Sequence, residues 1–175
     1  MLLFENDKGY KKVCIWKDEM PFRCINQNKR QIHRTSGEVI WHEGIICMEA
    51  LLRPSHASYY AMVCMNYTNE NSNGVDIIIN QGEEECSFSS NVLPFHNKIC
   101  AGLNDEFAEA VEEFFQEIQH ERLPHGTIEI LSGGYDKVGS SNYSFKETME
   151  LLLFIYENID NMSHQTLQKE IIKRM

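Results

Sequence analysis

The spacing of the apolar residues changes near residue 104, and that change limits what the chain can fold into. Before residue 104, short aliphatic and aromatic runs alternate with turn-forming residues, as is typical of β-strands. After it, six apolar residues follow at steps of three and four, which predicts a wide apolar helix face: Phe107, Ala110, Val111, Phe114, Phe115 and Ile118. Strands followed by helices, in a chain of 175 residues, predict one α+β domain.

Seven runs predict strands, because they are rich in aliphatic and aromatic residues between turn formers: Val13–Trp16, Val39–Trp41, Ile45–Met48, Ser58–Tyr67, Val75–Ile79, Cys86–Ser89 and Thr127–Leu131. The polar stretch Asn26–Ser36 is interpreted as a connection. The loop Asn66–Gly74 joins two predicted strands, and we expect it to close a long hairpin.

Capping residues mark the helix starts. Asn104 precedes the first helix, and acidic residues in its first turn favour the positive end of the helix dipole. Ser144 and Glu147 have the spacing of a capping box and predict the start of a second helix. Ser163 predicts the start of a short C-terminal helix.

Charge divides the chain into two parts. Residues 1–36 carry a net charge of +4, the remainder carries −14, and the whole chain carries −10. Any attraction to phosphate therefore has to come from the first part. We interpret residues 1–36 as a basic N-terminal extension with room for one added strand, and residues 37–175 as the main domain with the C-terminal helix.

Composition favours a cytoplasmic protein. The six cysteines form no C-x-x-C pair and no regular spacing, so we expect reduced, mostly buried thiols. The first residues become charged too early for a signal peptide. The longest apolar run, Leu151–Tyr156, is too short to cross a bilayer, and we expect no membrane partner.

The loop Ser132–Ser141 lies between a predicted strand and a predicted helix and allows two interpretations. Its glycines, its serines and Lys137 could surround a phosphate at the start of the helix. The same residues serve a tight turn with a helix cap, and their spacing matches neither the P-loop nor the dinucleotide fingerprint. We therefore prefer the cap and expect no bound nucleotide.

Two further groups of residues were considered as chemical sites. Trp41-His42-Glu43 and Cys47 are close in sequence, but no histidine pair has zinc-ligand spacing, which favours a structural role. Four glutamates flank the first helix and should face solvent, where they gain no catalytic advantage: Glu109, Glu112, Glu113 and Glu117. We expect no catalytic residue, no metal site and no cofactor.

Parts of the chain resemble a known family. Five residues of Gly134–Phe145 are in register with the fourth domain of translation elongation factor G and of the related ribosomal-protection proteins of tetracycline resistance: Tyr135, Val138, Ser140, Ser141 and Phe145. Gly102–Val111 resembles the start of that domain's first helix. With weaker similarity at Gly37–Glu43 and Gly74–Ile79, the resemblance covers roughly residues 37–159.

The resemblance implies a fold of the ribosomal protein S5 domain 2-like type. This is an α+β two-layer sandwich with a sheet of about four strands and two helices on one face. In the family, this domain is the tip that enters the decoding site of the small ribosomal subunit, and it holds no GTPase residues. The resemblance places binding residues in two tip loops: Asn69, Asn71, Asn73, Gly74, Gly134, Tyr135, Asp136, Lys137, Ser140 and Ser141.

Three functions follow as hypotheses. The first is a non-catalytic, ribosome-associated module, with the small subunit or ribosomal RNA as its partner. The second is a protein-interaction or inhibitory module on the same scaffold. It is favoured by the charge of −14 and by Asp136, which replaces the family's tip histidine and weakens attraction to RNA. The third is a small phosphate-binding enzyme using Gly139, Ser140 and Ser141.

Overall fold

The computed structural model describes residues 1–6, 11–22, 24–52, 59–70, 73–93 and 98–175. The strands are β1 (Leu2–Glu5), β2 (Lys12–Lys17), β3 (Asn28–Arg34), β4 (Gly44–Leu51), β5 (Tyr60–Thr68), β6 (Val75–Gln81), β7 (Glu84–Ser89), β8 (Lys98–Ala101) and β9 (Gly126–Tyr135). The helices are α1 (Asp105–Glu117), α2 (Asn142–Asn158) and α3 (His164–Arg174), with a short 3-10 turn at His120–Arg122.

Strand β9 pairs with three other strands of the sheet, whose main path is β1-β2-β4-β5-β9-β6-β3. It pairs antiparallel with β5 on one side. On the other side it pairs parallel with β6 over Gly126–Ile130 and antiparallel with β8 at Gly134 and Tyr135. The end of β5 and the start of β6 therefore lie beside the start of β9, whereas the β9–α2 loop follows its other end.

The predicted sheet of about four strands with two helices on one face is wrong. Within the described residues, the chain forms a mixed sheet of nine strands and three α-helices. Strands β4, β5, β9 and β6 are adjacent in this sheet, β1, β2 and β3 extend it, and β7 and β8 pair off the main path beside β9. The added strands include short or polar segments whose composition alone does not favour a strand.

The first 36 residues contribute three strands, where the sequence suggested room for one. Strands β1 and β2 extend the sheet beside β4, while β3 extends its other side by pairing with β6. The connection predicted over Asn26–Ser36 is wrong, because most of it is β3. Lysine and arginine are common on edge strands, where charge discourages pairing with other chains.

Two predictions near the sheet's centre are also wrong. Val39–Trp41 is not a strand, and the backbone N–H of His42 donates to Tyr156 O of α2 at 2.9 Å. Strands β5 and β6 do not form a hairpin, because β9 lies between them. The predicted caps at Asn104 and Ser163 are confirmed, since each side chain accepts a hydrogen bond in the first turn of its helix.

The helices cover one face of the sheet and enclose the larger core, here called the helix-face core. Alternate strand residues such as Ile46, Met48 and Val63 meet the apolar faces of α1 and α2. Phe145 of α2 stacks on Phe107 of α1 with ring centroids 4.5 Å apart. Tyr156 ties α2 to the sheet, because its hydroxyl accepts from Ile46 N–H at 3.0 Å and donates to Met65 O.

A smaller core lies on the opposite face of the sheet and is here called the second-face core: Cys14, Trp16, Cys47, Leu51, Tyr60, Met62, Cys64, Val92, Leu93 and Ile99. Part of its cover is the segment Ser90–Leu93, here called the strap. Phe22 and Phe88 pack nearby, with ring centroids 5.0 Å apart. Both faces of β4 and β5 are therefore buried, as expected for strands in the middle of a sandwich. In the described residues, no helix is long and apolar enough to cross a membrane.

Candidate functional site

The loop between β9 and α2 is held by hydrogen bonds to the chain's own backbone. The hydroxyl of Ser140 donates to Tyr60 O at 2.7 Å and accepts from Asp136 N–H at 3.0 Å. Ser140 N–H donates to Asp136 O at 3.0 Å, and Tyr60 N–H donates to Gly139 O at 3.2 Å. Strand β5 thus positions the loop, and the Ser140 hydroxyl is already engaged.

Two more serines of this loop cap α2. Ser141 Oγ accepts from Ser144 N–H at 3.2 Å, and Ser144 Oγ accepts from Ser141 N–H at 2.9 Å. The predicted capping box over Ser144 and Glu147 is therefore displaced by three residues, since Ser141 is the cap and the helix begins at Asn142. These contacts satisfy backbone groups that a phosphate would otherwise need, and they favour the capping interpretation over the anion site.

The glycines upstream of the loop have a packing role. Gly133 and Gly134 are residues of β9 rather than of the loop. A Cβ on Gly133 would collide with the side chain of Leu103, and one on Gly134 would lie 3.2 Å from Ile99 Cγ2. Small residues are needed there because side chains from both cores press against the strand.

The structure divides the predicted tip residues between two ends of the sheet. Asn69, Asn73 and Gly74 lie beside the start of β9, where Gly126 N–H donates to Gly74 O at 3.0 Å. The other group lies at the end of β9: Gly134, Tyr135, Asp136, Lys137, Ser140 and Ser141. Asn71 lies outside the described residues. Because β9 has ten residues, the two groups are roughly 30 Å apart and do not form one surface.

Apolar side chains face solvent at the end of β9. Val138, at the tip of the β9–α2 loop, is 88% exposed, and Tyr143 in the first turn of α2 is 45% exposed. Tyr143 meets Tyr59 edge to face, with centroids 5.6 Å apart. We call Val138, Tyr143 and Tyr59 the apolar tip. Sequence reasoning chose the polar residues of this loop and missed Tyr143 and Tyr59, although aromatic residues are common in protein interfaces.

A cleft of about 310 Å³ opens where α1 begins. Amides and carboxylates line it: Gln27, Asn28, Gln81, Glu83, Asn104, Asp105 and Glu106. Several already have partners, since Gln81 donates to Asp105 at 3.0 Å and the Tyr135 hydroxyl donates to Glu83. Within the described residues, no three His, Cys, Asp or Glu side chains come together to hold a metal ion. The cleft is therefore a polar one whose lining groups partly pair with one another.

A buried carboxylate lies on the second face of the sheet. Glu49 is fully buried, and its oxygens accept from the Tyr60 hydroxyl at 3.0 Å and from Asn91 N–H at 3.0 Å. Burial raises the pKa of Glu49, while hydrogen bonds from Ser90, Asn91 and Tyr60 oppose that rise. Glu49 thus fastens the strap to the sheet, which is a structural task. In the sequence, the sign that Glu49 is buried was its position directly after the apolar run Ile45–Met48.

Much of the basic charge of the first 36 residues is used inside the fold. Arg30 forms an ion pair with Glu112 at 2.7 Å, and Arg34 donates to Phe115 O and to Ile118 O at the end of α1. Lys17 pairs with Asp160 at 3.1 Å. These contacts leave fewer cations for phosphate groups than the count of basic residues suggested.

Within the described residues, the group around His42 includes no cluster of three side chains that could hold a metal ion. His42 Nδ1 lies 2.6 Å from Asp160, and the pKa of Asp160 is lowered by this contact and by Lys17. Trp41 belongs to the helix-face core and Cys47 to the second-face core, so the sheet separates them. On α1, Glu113 and Glu117 both pair with Lys146, at 3.0 and 3.3 Å, which fits a solvated acidic face.

Comparison of the chain with protein-family models, with curated proteins and with solved structures found no match.

Proposed function

We propose that this protein is a cytoplasmic, non-catalytic binding module that docks onto a protein with a basic surface through the apolar tip. The supporting observation is the contrast inside one loop. Ser140 and Ser141 are engaged with the chain itself, while Val138 is 88% exposed in the same loop and Tyr143, in the first turn of α2, is 45% exposed. A loop fixed by internal hydrogen bonds loses little entropy on binding, and exposed apolar and aromatic side chains suit a protein interface.

Charge determines the kind of partner. Helix α1 carries six acidic residues and no basic one. The whole chain has a net charge of −10. A field of this sign repels nucleic acid and steers a basic protein surface toward the molecule. The free cysteines among the described residues fit a reducing compartment.

The ribosomal hypothesis has less support. It needs two loops in one tip and cations for RNA phosphate, whereas the loops lie at opposite ends of β9 and Arg30 pairs with Glu112. The phosphate-binding enzyme needs the Ser140 hydroxyl, which donates to Tyr60 O. The ribosomal hypothesis remains an outcome of the experiment below.

Cross-linking and substitution at Val138 test the proposal. A photoreactive benzophenone amino acid replaces Val138, or replaces Ile40 as the control, because Ile40 is 84% exposed and far from the loop in sequence. Proteins cross-linked only from position 138 are purified and their affinity is measured. We expect a basic protein whose affinity falls roughly tenfold with Val138→Ser, a loss of about 1.4 kcal/mol, and stays unchanged with Ile40→Ser.

The salt dependence of binding and the pelleting with ribosomal subunits test the proposal further. Binding to the basic partner should weaken as salt rises, because exposed charges are screened. The proposal fails if positions 138 and 40 cross-link to the same proteins. It also fails if the protein pellets with small ribosomal subunits and Val138→Ser leaves that pelleting unchanged.

A further inference from the structure

Two buried cysteines face each other across neighbouring strands. Cys47 of β4 and Cys64 of β5 are direct partners in the antiparallel ladder, and both are fully buried. Burial and the interaction with Cys47 raise the pKa of Cys64, so the two thiols adjoin. Directly opposed residues have Cα atoms about 4.5 or 5.5 Å apart, and both values lie within the roughly 4.4–6.8 Å that a disulfide spans. A bond between them therefore needs only a small approach of the two strands.

Neighbouring thiols are less well placed. Cys14 of β2 lies on the same face, but its direct partner is Glu49 rather than a cysteine. Cys100 belongs to the helix-face core. Among the described cysteines, Cys47 and Cys64 are the two that the ladder sets directly opposite each other.

We propose that Cys47 and Cys64 form a modification site, a dithiol that hydrogen peroxide converts into a cross-strand disulfide. One thiolate attacks a peroxide oxygen, the O–O bond breaks, and the departing hydroxide takes up the proton that the thiol released. The resulting sulfenic acid is attacked by the second thiol, which forms the S–S bond and releases water. The two thiols lose two electrons, and one peroxide becomes two waters.

The cover over the pair controls access to it. Val92 and Leu93 of the strap pack in the same core as the two cysteines. Burial raises the pKa of Cys64 well above its usual value, and the interaction with Cys47 adds to that rise, so the closed state holds a thiol rather than a reactive thiolate. Oxidation therefore follows opening of the strap, and the hydrogen bonds of Glu49 with Ser90 and Asn91 limit its rate.

The bond should be reversible. Directly opposed residues hold their Cβ atoms about 4.5–5.5 Å apart, whereas a relaxed disulfide prefers about 3.8 Å. Closing that gap strains the two strands, and strained disulfides are reduced more easily than relaxed ones. A small thiol reductant should therefore restore the dithiol.

Peptide mapping of the oxidised full-length protein tests the site. The protein is treated with hydrogen peroxide, free thiols are alkylated, and a glutamyl endopeptidase cuts after Glu49, between the two cysteines. We expect non-reducing mass spectrometry to find Cys47 linked to Cys64, and dithiothreitol to remove the link. Ser90→Ala should raise the rate of linkage several-fold, and Cys14→Ala should leave the link in place.

The peroxide treatment has to last longer than the strap takes to open, so that a negative result is decisive. Hydrogen exchange at the amides of Val92 and Leu93 gives the time in which the strap opens. The proposal is overturned if peroxide has oxidised the more exposed Cys24 over that time and no Cys47–Cys64 link has formed. A link from Cys47 to Cys14 as the main product also overturns it.

Discussion

The two faces of the sheet are closed by different means. On the helix face, α1 and α2 press large side chains such as Phe115, Phe145 and Tyr156 onto the strands, and each of these is at most 1% exposed. On the second face, the strap is fastened by hydrogen bonds to the buried carboxylate of Glu49. Apolar packing thus dominates one face, and a polar contact holds part of the other.

Because of this difference, we expect the second face to respond to pH more than the helix face does. Apolar contacts depend little on pH, whereas a buried carboxylate depends on its protonation. The second face also contains the Cys47–Cys64 pair, so the proposed oxidation and the protonation of Glu49 concern the same side of the sheet. Trp41 lies in the helix-face core and Trp16 in the second-face core, so each core contains one of the chain's two tryptophans.

Removal of Phe145 should have the largest effect. Phe145→Ala leaves a cavity beside Phe107 in the helix-face core, and we expect a loss of about 3–5 kcal/mol in the free energy of unfolding. Urea denaturation followed by tryptophan fluorescence measures it. Lys169→Ala, on the exposed side of α3, is the control and should change stability by less than about 0.5 kcal/mol. If Phe145→Ala lowered the free energy of unfolding no more than Lys169→Ala, the helix-face core would not dominate the stability of the fold.

A matched pair of hydroxyl deletions compares the two faces directly. Tyr156→Phe removes a bond to the backbone of β4 and β5, and Tyr60→Phe removes a donor from Glu49. We expect each to cost about 1–3 kcal/mol near neutral pH, because a buried partner is left unsatisfied. The cost of Tyr156→Phe should not vary with pH, whereas that of Tyr60→Phe should shrink in acid, where Glu49 is protonated.

Urea denaturation over a range of pH measures both variants. Equal pH dependence in the two would contradict a special role for Glu49. The same experiment on Tyr60→Phe also tests the direction of the carboxyl's pKa, since losing a donor should raise it further.

Glu49→Gln should have the smallest effect and the opposite sign near neutral pH. Burial raises the pKa of Glu49 above 4.5, the ordinary value, which also holds in the unfolded chain. Below that value both states are protonated and stability is fully present; it is lost as pH rises through the folded-state pKa. The variant cannot ionise, so we expect it to equal the wild type in acid and to exceed it near neutral pH. A constant deficit at every pH would contradict this.

The sequence predicted elements well where one pattern was strong. The apolar spacing and Asn104 predicted α1, and Ser163 predicted the start of α3. The sequence failed at β3, because lysine, arginine and glutamine favour a strand only when a neighbour such as β6 supplies the pairing. It also failed at Val39–Trp41, where Trp41 packs on Tyr67 and Tyr156 instead of joining a ladder.

The candidate site was predicted in part. The β9–α2 loop was correctly placed between a strand and a helix, but its grouping with Asn69, Asn73 and Gly74 required both loops at one end of β9. Register and strand order decide such proximity, and a single sequence contains neither. The exposed state of Val138 and the burial of Glu49 likewise depend on the segments packed around them.

The sequence by itself determined the α+β composition, the periodicity of α1, the capping residues of two helices and the acidic charge. These properties depend on residues close together in the chain, and local spacing carries that information. Only the tertiary structure decided the width of the sheet, the separation of the two loops, the apolar tip and the facing of Cys47 and Cys64. These depend on which distant segments pair, and the free energy of that pairing is shared among all the strands of the sheet.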